Sequence, residues 1–397
     1  MTVKTRALVM GMLVTGVLNT ILNKYQDNVC VENCDSPDPA ARRYFEQPVF
    51  QTLTMFIGEA ACLLAFQYGE WLQRRRAKRN GAAGLGGAGN EAEALLKDEG
   101  DGLPLTGWRK LLLWLPTLCD LTGTTIMNVG LLLTAASVYQ MLRGSIVLFV
   151  GLFSVVFLKR RFFFFQWYSL FLVVLGVGLV GLSSALFPQQ RPEAANPTLA
   201  EEVPFHWESV VGVLLVLGAQ VFTASQFVIE EKLMSRYSVY PVVAVGLEGA
   251  FGLITVLTAM PILHFTLGVS HPGGYFDVVA CWRQVLAHPE LWASSIAFAA
   301  SISFFNFFGL SVTRAVSATA RSTIDTCRTL FIWMVSLSLG WERFAWLQVV
   351  GFSLLIYGTF IFNGVVEPPC FAPPLEPDVE ELPAEATPLL PEDHEHR

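Results

Sequence analysis

Charge is scarce in this chain. Only 15% of its 397 residues are Asp, Glu, Lys or Arg, where soluble globular domains carry about a quarter. Set against 53% hydrophobic residues, that shortage excludes an ordinary soluble domain. Nothing in the chain suggests nucleic acid as a partner. No Cys/His set has zinc-ligand spacing, and the histidines (206, 264, 271, 288, 394 and 396) are dispersed near loops and the tail. No nucleophile sits with a base in any recognisable pattern, so the chain does not read as an enzyme and implies no cofactor. The Asn196-Pro197-Thr198 triplet has a central proline that disqualifies it as a glycan acceptor. No cleavable signal peptide is expected: the first apolar stretch ends in Asn19, Asn23 and Lys24 rather than in a small-residue cleavage site, so it reads as a first spanning helix.

What fills the chain instead is one apolar run after another. At about 20 apolar residues per membrane crossing, the spans fall near 5–24, 48–72, 110–133, 137–158, 162–186, 207–233, 240–267, 289–313, 316–339 and 344–365. The expected fold is an all-α polytopic membrane protein of ten transmembrane helices. Arg74-Arg75-Arg76-Ala77-Lys78-Arg79, Lys159-Arg160-Arg161, and Lys232 with Arg236 close alternate spans. The positive-inside rule then puts those loops, and both termini, in the cytosol. Loops 25–47, 187–206 and 268–288 face the other side. The stretch 80–104 is a Gly/Ala-rich linker with acidic punctuation. From Glu367 onward nine carboxylates stand against Arg397, so the tail alone accounts for the formal charge of −7. An acidic, Pro-rich tail of this kind reads as disordered and cytosolic.

A repeat constrains the order of these spans. At a constant offset of 182, Ala136 matches Ala318, Ser154 matches Ser336, Arg161-Phe162 matches Arg343-Phe344, Gln166 matches Gln348, and Gly176 matches Gly358. By the loop count the two copies enter the membrane from opposite sides, giving a five-plus-five inverted repeat. The first copy spans 1–186, including a cytosolic linker at 73–107; the second spans 207–365, and the tail is 366–397. Such repeats are a usual build of secondary transporters, with the binding site at the midplane between halves.

Charge inside the spans marks the candidate site. Arg321, Asp325 and Arg328, spaced by four and three residues, share one helix face in a membrane-length segment. Even on the mildest scale each costs roughly 2.5 to 3.5 kcal/mol in lipid, so the face belongs toward a protein interior or a cavity. Arg143, three residues after Gln140, is the repeat equivalent of Asp325. The two could pair across a cavity, coordinate a substrate, or fix helix packing. Asp120, Thr124 and Asn128 form a polar stripe at spacings of four, and Glu59 and Glu248 lie mid-span. Desolvation disfavours the charged form of such carboxylates, which suits proton coupling; hydrogen bonding to a neighbouring helix is the plainer alternative. Glu230 and Glu231 fall near a span end, where pairing with Arg236 or headgroup water is expected.

Other patterns carry less. Gly176, Gly178 and Gly181 fit a dinucleotide-binding spacing, but inside an apolar run they suit close helix packing or a homodimer face. Seven cysteines are an odd count; Cys30, Cys34 and Cys281 lie in polar loops and leave a lumenal disulfide open. Glu385, Leu389 and Leu390 fit an acidic dileucine sorting signal, a docking element for a clathrin adaptor, and Glu91 with Leu95 and Leu96 repeats it. Both point to endosomal or lysosomal delivery.

The membrane part resembles the drug/metabolite transporter superfamily, and within it the F branch of solute carrier family 35. The resemblance rests on Leu115-Pro116-Thr117-Leu118-Cys119-Asp120, Tyr139-Gln140-Met141-Leu142-Arg143-Gly144, Glu230-Glu231-Lys232, Gly246-Leu247-Glu248-Gly249, Ser317-Ala318-Thr319-Ala320-Arg321 and Leu339-Gly340-Trp341-Glu342. Tyr139 stands where the family pattern has Phe. The resemblance implies a ten-helix inverted-repeat fold around a central cavity, and lysosomal residence with Golgi or mitochondrial membranes as alternatives. It does not name the solute. The expected function is secondary-active transport of a small organic anion or zwitterion coupled to protons. A Golgi nucleotide-sugar antiporter and a non-transporting membrane adaptor are the other readings.

Overall fold

The computed structural model describes residues 3–36, 42–45, 47–81, 103–105, 107–134, 136–186, 207–270, 274, 276–338, 346–364 and 366. The helices are α1 (Val3–Asp27), α2 (Pro48–Gly81), α3 (Trp114–Leu133), α4 (Ala136–Arg143), α5 (Ile146–Leu158) and α6 (Phe164–Leu186). The chain continues with α7 (Trp207–Arg236), α8 (Pro241–Leu263), α9 (Val278–Ala287), α10 (Pro289–Ala315), α11 (Ala318–Ser338) and α12 (Trp346–Phe362). Among the described residues, seven stretches are long and apolar enough to cross a membrane: Thr5–Asp27, Pro48–Arg76, Val138–Leu158, Phe164–Leu186, Ser209–Arg236, Pro241–Thr266 and Pro289–Ala315. Three further helices are of comparable length: α3 with 20 residues, α11 with 21 and α12 with 17. The three charges of α11 keep it out of the apolar set.

The expected span at 137–158 is present as Val138–Leu158, and its helix is interrupted once. Arg143 ends α4 and Ile146 begins α5. Between them the Gly144 and Ser145 amides donate to the carbonyls of Met141 (3.1 Å) and Leu142 (3.0 Å), three residues back instead of four. This is a single 3-10 turn within the span. Thr326 of α11 presses on the break. Its hydroxyl lies 3.0 Å from the Ser322 carbonyl and 3.4 Å from that of Gly144.

Small residues set how closely the helices approach. α6 lies against α12, α3 against α7, α2 against α8, and α1 against α10. A Cβ at Gly176 would stand 2.6 Å from the Gly351 carbonyl oxygen, and one at Gly358 would stand 2.8 Å from that of Ser169. Neither position has room for a side chain, so α6 and α12 touch backbone on backbone. Gly178 has nothing within 4 Å. The core between these pairs is built by Val138, Met141, Leu142, Val173, Val216, Phe352 and Leu355.

Short elements close the two ends. The β1 strand (Cys30–Glu32) pairs antiparallel with β2 (Arg43–Tyr44), next to a Cys30–Cys34 disulfide. Val29, Val31, Phe45 and Phe50 pack on Cys281 and Val285 of α9. The loop expected at 268–288 therefore contains a helix, started by Asp277, whose carboxylate accepts from the amides of Val279 and Ala280. Cys281 is a free thiol, and burial pushes it up to about 12. At the other end β3 (Leu103–Pro104) pairs parallel with β4 (Tyr237–Ser238), and a 3-10 helix (Gly107–Leu113) leads into α3.

Candidate functional site

The site is organised by α11. Its residues at i, i+4 and i+7 share a face, and the fold turns that face inward: Arg321 is 2% exposed, Asp325 6% and Arg328 3%. Each charge has a specific neighbour. Arg321 pairs with Glu230 of α7 and lays its guanidinium 3.9 Å from the Phe227 ring centre. Arg328 pairs with Asp325 on its own helix at 2.6 Å and sits over the Phe305 ring at 4.7 Å. It also donates to the Gly16 carbonyl at 3.4 Å, where a side chain on Gly16 would collide with it.

Arg143 does not take Asp325 as its partner. It is half-buried with its guanidinium 5.9 Å from the Tyr139 ring, and close enough to Arg328 for the two like charges to interact. Asp325 prefers Arg328 because a partner one turn along the same helix is already placed by the backbone. Gln140 is half-buried next to Arg143, and its Oε1 has no hydrogen-bond partner. This end of the site therefore carries two arginines and one carboxylate.

One to two turns along α11 the balance reverses. Glu59 of α2, Asp120 of α3, Glu230 of α7 and Glu248 of α8 converge on Arg321, in a narrow pocket completed by Phe56, Thr117, Gln226, Val245, Asn306 and Leu310. The Asn306 amide of α10 donates to Glu59. Thr124 donates to Asp120 at 3.4 Å, and the Thr117 hydroxyl reaches the Glu248 backbone carbonyl at 3.3 Å. The second oxygen of Glu230, one oxygen of Glu248 and Nε of Arg321 are buried without hydrogen-bond partners. Asn128, two turns beyond Asp120 on α3, is half-buried.

Glu59, Asp120, Glu248 and Arg321 are thus brought into one pocket, while Arg143, Gln140, Asp325 and Arg328 belong to the neighbouring basic end. Glu385, Leu389 and Leu390, and the second dileucine pattern, lie outside the described residues. Sequence reasoning missed Asn306 and misassigned the two acids of α7. Glu230 reaches Arg321 rather than Arg236, and Glu231 pairs with Arg160 at the end of α5 while accepting the Ala318 amide at 2.7 Å. Consecutive carboxylates six residues inside a helix end were the available signal. Among the described residues no His, Cys, Asp or Glu grouping has the geometry of a metal site.

Comparison with known proteins agrees with this architecture. A family model described as nucleotide-sugar transporter matches residues 110–261. Solute carrier family 35 member F6 of Homo sapiens is 37% identical over 361 residues, covering 90% of this chain and 88% of the relative. The Mus musculus protein of the same name is 36% identical with the same coverage. An uncharacterized Schizosaccharomyces pombe protein is 38% identical over 363 residues, covering 90% and 97%. A solved crystal structure at 13% identity superposes with a TM-score of 0.50 over 92% of this chain and 98% of that one, a likeness of fold alone. With seven membrane-length apolar helices and relatives of this kind, this is a multi-pass membrane protein of a solute-transporter family: the chain belongs to solute carrier family 35.

Proposed function

We propose that the protein is a secondary-active transporter working by alternating access, built as two inverted five-helix repeats. The carrying observation is a reciprocity of contacts at the offset of 182. Gly176 seats against residues 351 and 355, and Gly358 seats against 169 and 173, the equivalents of 351 and 355. Thr326 meets Gly144, its own equivalent. By order of helices within each half, the pairings exchange likewise, α3 with α7 corresponding to α10 with α1. Counting α3, α11 and α12 as crossings, and α4 with α5 as one broken crossing, gives ten. The broken helix and the charged face of α11 then lie together between the halves, where transporters of this build bind their solutes.

The solute in this reading is a small organic anion or zwitterion moved with or against protons. Arg143, Arg328 and Gln140 would draw a carboxylate or phosphate, while Glu59, Asp120 and Glu248 would carry protons or a solute's positive end. The dileucine patterns support an endolysosomal membrane, with both termini cytosolic and a clathrin adaptor reading the tail.

The test is a thermal-shift screen of the purified full-length protein with amino acids, small peptides, nucleotides and nucleotide sugars at pH 5 and pH 7.5. A ligand that binds only the folded state raises Tm. A hit lost in Arg143→Ala supports the assignment; silence at both pH values counts against it. The family model favours a second reading, nucleotide-sugar antiport, which requires counterflow of a nucleoside monophosphate from loaded vesicles.

A further inference from the structure

The pocket around Arg321 holds a charge imbalance that its own side chains leave unresolved. Four carboxylates, Glu59, Asp120, Glu230 and Glu248, meet a single cation there. That cation is already engaged, because Arg321 pairs with Glu230 and lies on the Phe227 ring. Asn306 supplies one donor to Glu59, and Thr124 supplies a long one to Asp120. Glu248 is different. It lines the pocket at 8% exposure, and one of its oxygens is buried with no hydrogen-bond partner.

A buried carboxylate without a positive or donating partner is a strongly unfavourable arrangement, relieved by a proton or by a cation. Among the described residues, the surroundings of Glu248 supply no cation beyond Arg321. From α2 it is faced by Glu59, from α3 by Asp120, from α7 by Glu230 and from α11 by Arg321; α10 contributes the uncharged Asn306. The thiols of Cys62 and Cys119 flank Glu59 and Asp120. Arg109 and Lys110, on the 3-10 helix, are exposed.

We propose that this pocket binds a compact organic ammonium group, with Glu248, Glu59 and Asp120 as its acceptors, and that protons compete with it for the same carboxylates. A primary ammonium offers three N–H donors, one for each acceptor not already paired to Arg321. The space between these side chains is about that of one water molecule, so it admits the ammonium head alone, with Phe56, Val245 and Leu310 as the apolar wall beside it. An inorganic divalent ion suits the pocket less well, since no grouping among the described residues has metal-ligand geometry and Arg321 repels it. The inference rests on the transporter reading only in taking the ammonium to be part of a transported solute.

Binding is measured without flux. The full-length protein in detergent is titrated with ethylammonium chloride, with sodium chloride and tetramethylammonium chloride at matched ionic strength, at pH 6, 7 and 8. Ethylammonium is expected to raise Tm saturably, to bind more tightly as pH rises, and to release protons into weakly buffered solution. Glu248→Gln, which keeps shape and removes charge, should weaken it by roughly tenfold or more. If that variant is not monodisperse, Glu59→Gln is read in its place. A shift matched by sodium or tetramethylammonium, or one unchanged in the glutamine variant, overturns the proposal. Saturable ammonium binding with no uptake of any solute into proteoliposomes keeps the site and removes the transporter reading. Uptake of another solute with no ammonium shift does the reverse.

Discussion

The Thr326 hydroxyl lies 3.4 Å from the Gly144 carbonyl, and the two residues stand 182 apart in the chain. At this point the broken helix α4–α5 meets the charged helix α11. A Cβ at Gly144 would stand 2.7 Å from a Leu355 methyl and 3.2 Å from that of Thr326. Alanine there needs only a shift of the Leu355 side-chain end and should be tolerated. Gly144→Leu should overfill the junction and cost about 1–3 kcal/mol, read as a lower Tm in detergent.

The α6–α12 seam predicts matched effects at two positions. Gly176→Leu and Gly358→Leu each drive a side chain into backbone and should both lose monodisperse protein on size exclusion. Gly178→Leu, on the open side of the same helix, should behave as wild type. A tolerated Gly176→Leu beside an intolerant Gly358→Leu would contradict the reciprocal seating.

Arg321 and Glu230 form a buried pair, each under 4% exposed at the side chain. Removing one partner strands a charge and typically costs about 3–5 kcal/mol, while replacing both with apolar residues of similar volume is often neutral. Glu230→Met alone should therefore be much less stable than Glu230→Met with Arg321→Met. The double variant should keep the wild-type elution profile.

Thiol chemistry gives a further check. With its thiol pushed up to about 12 by burial, Cys281 stays protonated throughout the range in which maleimides are used. It should be labelled only after unfolding, and raising the pH from 7 to 9 should not change that. Two of the seven cysteines are joined as Cys30–Cys34. Denatured protein should take up two more alkyl groups by mass when it is reduced first than when it is not.

Periodicity made the α11 face legible, because three charges at i, i+4 and i+7 can occupy one side of a helix whatever surrounds it. Their partners were another matter. Arg321 finds Glu230 91 residues away on α7, and no local pattern encodes that approach. Asp325, for which pairing with Arg143 was one of the open readings, is claimed by Arg328 at i+3. The break after Arg143 escaped notice because Gly144 and Ser145 interrupt an otherwise apolar run too briefly to register in a hydropathy window. Helix α9 was hidden in a loop for the opposite reason: at ten residues it is too short for a span and too polar in its flanks. Cys30–Cys34 was one of several pairings the loops allowed, and the fold joins it beside the β1–β2 pair.

The contact between α6 and α12 has a mechanical meaning. Helices that meet through leucine ridges can compress and re-seat, but a glycine resting on a carbonyl oxygen has almost no give. A squeeze or stretch arriving from the lipid is passed along such a seam instead of being absorbed by it. Bilayer thickness, set by acyl-chain length, should therefore act on this protein as a tuning variable, much as tension acts on a stiff spring.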